Sequence, residues 1–420
     1  MTESVFEVSN VDTDYDPTRS PHREDPFGFY AWSQQYQPVV WSDLVQAWLV
    51  TRYADIQRVA EDTATFSSSV AAPPLDKMVP AEVLEVLAAA GPPGKSVLQA
   101  DPPEHATMRR IGQSVVQGPR INAAIPYMRQ VAHELVDSAE ADGARQIELV
   151  SQFSLEYVHR VLSTLVGVPA ADMERVHAWN NAFLGLMAPS NSTAVKLELA
   201  QAFLEYETYL AELIAARRAD PRDDMVSALI EVYDGDGIAA EESLPDMRMF
   251  VRGLYAGGIH TTKDAITSAV HVMLTTDGGA PWRKAGQDPA SIPPMLEEVL
   301  RLEAPHRGLT RLALRDTTIG DVTIRAGEQV LLLFGAGNRD ATKFLEPDLF
   351  QPGRDNIKQH MAFGHGIHQC LGRALARTEA REALTVLAQR LPGACLAPDY
   401  KPDYSPEFYF RGLSQLNLTW

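Results

Sequence analysis

Ten residues near the C-terminal end constrain this chain most. Phe363-Gly364-His365-Gly366-Ile367-His368-Gln369-Cys370-Leu371-Gly372 put one thiol in a glycine-shaped loop immediately ahead of a long helical pattern. Glycine at 364 and 366 opens backbone conformations closed to other residues, and Gly372 lets a bulky group lie against the first helical turn. The unpaired amides and positive dipole end of that helix favour a thiolate at Cys370, which is a strong metal ligand. On residue types alone four readings stand. Free cysteine is among the most buried residues, so a structural cysteine comes first. A catalytic nucleophile, with His368 as base, leaves the glycines unexplained. A zinc site with His365 and His368 lacks a fourth ligand, since the other cysteine, Cys395, stands alone. The fourth reading is the axial ligand of a haem iron.

A length of 420 residues would by itself argue for two domains. No linker, low-complexity run or fixed-period repeat supports that split, so residues 1–420 are read as one unit, opening with an irregular polar arm over 1–24. Two cysteines exclude a disulfide framework and fit a reducing cytosol. Met1-Thr2-Glu3-Ser4-Val5-Phe6-Glu7 carries acid in place of a basic signal start, and no apolar run nears the roughly 18 residues that span a bilayer. The expectation is a soluble, cytoplasmic protein. Its formal net charge of -18 opposes nucleic acid and anionic membrane over the surface as a whole, while leaving room for a local basic patch.

Taken in order, Phe29, Trp32 and Tyr36 predict a short helix that Pro38 stops, followed by strands at 39–41 and 48–51 and a helix over 53–62. Prolines at 73, 74, 80, 92 and 93 make 71–100 a long loop, with at most a short helix over 81–90. Pro102 and Pro103 open a helix that puts His105 and Arg109 one turn apart on one face. Residues 121–234 predict successive amphipathic helices, of which 173–187 and 194–219 are the longest, with breaks that include Pro189. Residues 244–276 read as one long helix. It carries Ala256-Gly257-Gly258-Ile259-His260-Thr261-Thr262, whose two glycines cost about 1 kcal/mol each relative to alanine, so a kink or close approach is expected there. Glu298 and Arg301 sit three apart on the next helix and can pair. After Pro305 the chain turns to short strands at 309–314, 317–319, 322–324 and 330–334, and 405–411 with 416–420 suggest a terminal hairpin.

The ten-residue loop resembles the haem-binding signature of the cytochrome P450 family, Phe-Gly-x-Gly-x-His-x-Cys-x-Gly, without a mismatch. The resemblance implies a mainly α fold with small β-sheets, a triangular helix-rich unit holding haem b between the long central helix and the helix after the cysteine loop. It implies Cys370 as proximal iron ligand, with Phe363 beside the sulfur and Gly364, Gly366 and Gly372 shaping the cradle. His368, the His105/Arg109 pair and Arg311 take the haem propionates. Glu298, Arg301 and Arg354 form the family's structural triad. The central-helix segment resembles the oxygen-binding groove, with Thr261 at the alcohol position and His260 where the family has an acid. Helices 173–187 and 194–219 correspond to the mobile lid, hinged at Pro189. His306 and Arg307 fall at the pocket-lining position, which points to a polar or carboxylate-bearing substrate.

The implied activity is a haem-thiolate monooxygenase that inserts one oxygen atom from O2 into a small organic molecule, because thiolate ligation favours O–O cleavage. No flavin or nicotinamide fingerprint is present, so electrons are expected from a ferredoxin and its NAD(P)H-dependent reductase. Arg109, Arg110, Lys358, Arg373, Arg377 and Arg381 offer a basic patch for such a partner. Two alternatives remain: a peroxide-driven oxygenase or other haem-thiolate enzyme, and a non-catalytic haem-binding sensor.

Overall fold

Proline placement and aromatic spacing set the N-terminal elements in the computed structural model, which describes residues 11–72, 78–141, 143, 145–188 and 191–420. Helix α1 (Phe27–Tyr36) starts after Pro26 and ends before Pro38, whose locked φ and missing N–H cannot continue it. Strands β1 (Val39–Ser42) and β2 (Ala47–Val50) pair antiparallel and lead into α2 (Tyr53–Glu61), then β3 (Phe66–Ser67). The long loop contains the short helix α3 (Ala81–Leu87). Residues 11–24 of the arm are turns, pinned by Tyr15, which is buried and stacks 4.7 Å from Phe29. Residues 1–10 of the arm, Pro73 and Pro74 of the loop, and the Pro189 hinge lie outside the described residues.

The helical body follows as α4 (Glu104–Val115), α5 (Gly118–Glu140), β4 (Gln146–Glu148), α6 (Glu156–Val166), α7 (Met173–Met187), α8 (Thr193–Ala219) and α9 (Met225–Gly235). Next come α10 (Ala240–Thr275), α11 (Ala280–Gln287) and α12 (Ile292–Leu302). At 36 residues α10 is about 54 Å long, enough to cross the molecule. Pro245 in its second turn has no N–H to offer the Glu241 carbonyl, and Gly94 of the long loop lies against the Pro245 carbonyl, where a side chain would clash. Val251, Tyr255, Ile259, Ile266 and Met273 of α10 share one buried cluster with α5, α6, α12 and α14 (Arg373–Arg390). Helix α8 is tied to α10 by a buried ion cluster in which Glu207 meets Arg252 and, at 3.2 Å, Arg248.

The remaining strands are β5 (Gly308–Ala313), β6 (Thr317–Ile319), β7 (Val322–Ile324) and β8 (Gln329–Leu333), followed by the turn-length α13 (Phe334–Gly337) and, beyond α14, β9 (Cys395–Leu396) and β10 (Asn417–Thr419). One sheet has the order β1-β2-β8-β5-β3, in which β2 runs parallel to β8 with Ala47 opposite Gln329 and Val50 opposite Leu332. The expected terminal hairpin does not form. Residues 404–413 fold back on themselves through a Tyr404–Leu413 bridge, while β10 lies between β4 and β9, with Leu418 opposite both Ile147 and Leu396. Burial of Leu416 and Leu418 in the helical core decides this pairing, and a local reading of alternation cannot see such distant partners.

Candidate active site

The cysteine loop folds as a tight cradle. Gly364 and Gly366 have φ of 70° and 73°, left-handed values that favour glycine, and Gly366 lies against the Ala60 carbonyl of α2. The Cys370 amide donates to the Phe363 carbonyl at 2.8 Å, closing the loop. The Arg377 guanidinium lies 4.3 Å over the Phe363 ring and is held by two bonds to Glu297 at 2.6 and 2.8 Å, while His360 meets the same carboxylate at 3.1 Å. Burial would raise Glu297, but His360 and Arg377 outweigh it and hold its pKa at about 2. Burial pushes the Cys370 thiol up, more than the Gly372 amide, Arg109, Arg373 and Arg377 pull it down. A metal ion bound to the sulfur would lower it and give the thiolate expected from the sequence. His365 and His368 point to different partners, Glu61 at 2.7 Å and Ser68 at 2.8 Å, which removes the basis for a zinc site here.

Beside the thiol four basic side chains converge from distant elements. His105 of α4 is buried, its Nε2 has no partner, and its ring lies 4.2 Å from that of His368. Arg109 follows one turn later, close enough to Cys370 and Arg373 to act on both. Arg311 of β5 is buried and donates to the neighbouring Thr310 carbonyl at 2.9 Å. Burial, with Arg311 and His105 adding to it, drops His368 to about 3, and burial drops Arg311 to about 10 despite Asp101. Asp101 also accepts from the Ser68 amide at 2.8 Å and from the Ser67 hydroxyl. Among the described residues Asp101 is the one carboxylate acting on Arg311, and none acts on Arg109. Sequence reading did not find Ser68 or Asp101, since a serine run and an Asp-Pro-Pro turn look like ordinary loop.

On the other side α10 presents its glycine segment. Thr261 Oγ1 donates to the Gly257 carbonyl at 2.6 Å, a back-bond that competes with the helix ladder, and Gly257 is solvent-accessible in mid-helix with open space where a side chain would be. His260 is largely buried with Nε2 unpartnered, and burial, then Lys263 and His177, lower it to about 4, so its imidazole is neutral. Phe410 packs between His260 and His306, with ring centroids 6.5 and 5.1 Å away. Burial also lowers His306 to about 4. Arg307 is 2% exposed; its Nε donates to the Phe410 carbonyl at 3.0 Å, but Nη1 and Nη2 have no partner.

Away from the pocket, Glu298 and Arg301 of α12 are both fully buried and joined by bonds of 2.9 and 2.7 Å; Arg354 adds a third at 2.8 Å and the Gln351 amide a fourth at 3.0 Å. Arg301 also donates to the carbonyls of Asn338, Pro347 and Leu349. Burial would raise Glu298, but these partners hold it below the usual carboxylate range.

Residues 292–394 match the profile of the family described as Cytochrome P450. The mycinamicin IV hydroxylase/epoxidase of Micromonospora griseorubida is 35% identical over 378 residues, covering 89% of this chain and 90% of that protein. The chain belongs to the cytochrome P450 family. The erythromycin C-12 hydroxylase of Saccharopolyspora erythraea is 32% identical, with 85% of each chain covered. Among solved structures, cytochrome P450 CREJ in complex with (4-ethylphenyl) dihydrogen phosphate superposes with a TM-score of 0.87 at 27% identity, over 97% of this chain and 98% of that one. This P450 is accordingly a monooxygenase with a haem cofactor, a small-molecule substrate and redox partners. Its residues fit that cofactor, because His105 keeps an orphaned nitrogen and Asp101 alone answers the Arg109/Arg311 cluster, which leaves charge for two propionates to balance. Among the described residues no helix is long and apolar enough to cross a membrane.

Proposed function

We propose that this P450, a single unit over residues 1–420, inserts one atom of O2 into a polar, carboxylate-bearing small molecule, with Cys370 holding the iron. The observation that carries the reading is the basic cluster of His105, Arg109, Arg311 and His368 gathered without matching carboxylates beside the one thiol that sits in a cradle. Those four side chains would take the propionates, and Gly364, Gly366, Gly372 and Phe363 would shape the wall around the sulfur. Haem supplies dioxygen activation when bound. The chain's own residues then manage water and protons: Thr261 keeps its hydroxyl fixed on Gly257, and His260, neutral at pH 7, relays a proton from one ring nitrogen to the other. His306 lines the substrate side, and Arg307 offers two free N–H groups to a carboxylate.

Electrons come in this reading from a ferredoxin and an NAD(P)H-dependent reductase in the cytoplasm, docking over the cysteine loop. Three of the six basic residues expected there are engaged with protein carboxylates, Arg110 with Asp236, Arg377 with Glu297 and Arg381 with Glu382, and Arg109 is given to a propionate, which leaves Lys358 and Arg373 to carry the patch. The missing acid at position 260 favours one second reading, peroxide-driven oxygenation. Reduction under carbon monoxide tests the first: the wild type and Cys395→Ser give the thiolate-ligated absorption maximum and Cys370→Ser loses it. A histidine-type maximum in the wild type sinks the Cys370 assignment. Faster turnover with hydrogen peroxide than with a surrogate ferredoxin system replaces the monooxygenase cycle by the peroxide one.

A further inference from the structure

The central helix holds a carboxyl group to which the reading above gives no task. Asp264 lies one turn beyond His260, the i to i+4 spacing that sets two side chains on one helix face with Cβ atoms about 5–6 Å apart. It is 2% exposed, and its Oδ1 accepts no hydrogen bond. Lys263 Nζ forms an ion pair with that oxygen at 2.6 Å, which pulls against the burial of the carboxyl. The C-terminal turn closes over both residues of the pair: Phe410 packs toward the His260 ring, and Gly412 lies so close to the Asp264 carboxyl that a methyl group there would overlap it. Beyond Gly412 the exposed Glu407 is near enough to act on Asp264. A buried carboxyl whose one ionic partner is the neighbouring Lys263 carries a desolvation cost that core packing does not explain.

We propose that Asp264 supplies the protons that His260 passes to the Thr261 groove, replacing from one turn further along the helix the acid that position 260 lacks. The proposal rests on the reading of His260 as a relay. A proton leaves the Asp264 carboxyl for one ring nitrogen of His260, and the opposite ring nitrogen releases one towards Thr261. The Asp264 carboxylate is then reprotonated from solvent past Glu407, and the imidazole returns to its first tautomer. The groups facing this pair are Lys263 on the same helix, Glu407 on the C-terminal segment and His177 of α7. Burial lifts Asp264 to about 7, with Lys263 opposing and Glu407 adding to the lift, so both protonation states are populated near neutrality.

The test uses the haem-loaded enzyme with a surrogate ferredoxin system and styrene as probe, reading styrene oxide formed and hydrogen peroxide released per NADPH. Asp264→Asn and His260→Ala each lower the epoxide yield at least about tenfold and raise peroxide release, and the double variant is no worse than either, as expected for one proton path. The variant His260→Glu/Asp264→Asn recovers yield, because a carboxyl restored at 260 makes the distant one dispensable. If His260→Ala is impaired while Asp264→Asn keeps the wild-type yield, the role of Asp264 is overturned and the His260 relay stands. If both keep it, the relay reading itself falls. Independently of those variants, infrared titration of the ferric protein on a Glu379→Gln background shows a buried carboxyl C=O band that disappears as pH rises through neutrality. Absence of that band also overturns the proposal.

Discussion

Glu379 shows what an unpaired buried acid does to a protein of this size. It lies on α14 with Oε1 unsatisfied, and burial raises its pKa from the usual 4.5 to about 8. The folded protein keeps this proton up to about pH 8, whereas the unfolded chain loses it near 4.5. Stability therefore falls as pH rises across that window, by a few kcal/mol in all. Glu379→Gln should leave the urea midpoint at pH 5 nearly unchanged and raise it at pH 8; equal shifts at both would mean the carboxyl has an ionic partner. Arg307 presents the opposite case, a buried guanidinium with two unpartnered nitrogens. If a substrate carboxylate completes it, Arg307→Ala weakens spin-shift binding of a fatty acid roughly tenfold or more and leaves the corresponding methyl ester unaffected. Equal affinity of the acid for both proteins would remove the basis for a carboxylate-bearing substrate.

At the scale of elements, the Glu298–Arg301–Arg354 triad joins α12 to the turn-rich segment 338–354 that precedes the cysteine loop. Arg301→Ala would leave the fully buried Glu298 with Arg354 and the Gln351 amide alone, at a cost of roughly 3–5 kcal/mol, and release the Asn338 and Pro347 carbonyls with it. The expected outcome is little haem-loaded protein on purification, read from the ratio of haem to protein absorbance; normal loading would show that the segment holds without the triad. This pair was legible in the sequence because i to i+3 spacing is local, and so were the cysteine loop and the glycine-threonine segment of α10. Ser68 and Asp101 were not legible. They reach His368 and Arg311 only after a loop, a helix start and a strand come together, and nothing in their own neighbourhoods marks them. At Cys370 the helix start could be read from the chain, while the burial that opposes its pull on the thiol could not.

For the whole molecule, the same limit accounts for the misread C-terminus, where β10 answers to β4 and β9 and not to its neighbour. The site itself is assembled from residues 68 to 372, and the sheet beside it joins β2 to β8 across most of the chain. That parallel pairing has a consequence on the ribosome. When Val50 emerges, the strand that will cover its edge has not been made, and Leu333 follows only after roughly 15–60 seconds at ordinary rates of synthesis. Throughout that interval the β1–β2 hairpin, with Val39, Ala47, Leu49 and Val50 buried in the finished protein, is an open apolar edge. The nascent chain is thus exposed to strand-to-strand aggregation at its N-terminal end until its C-terminal third exists, so slow translation between the two strands is a hazard built into the topology.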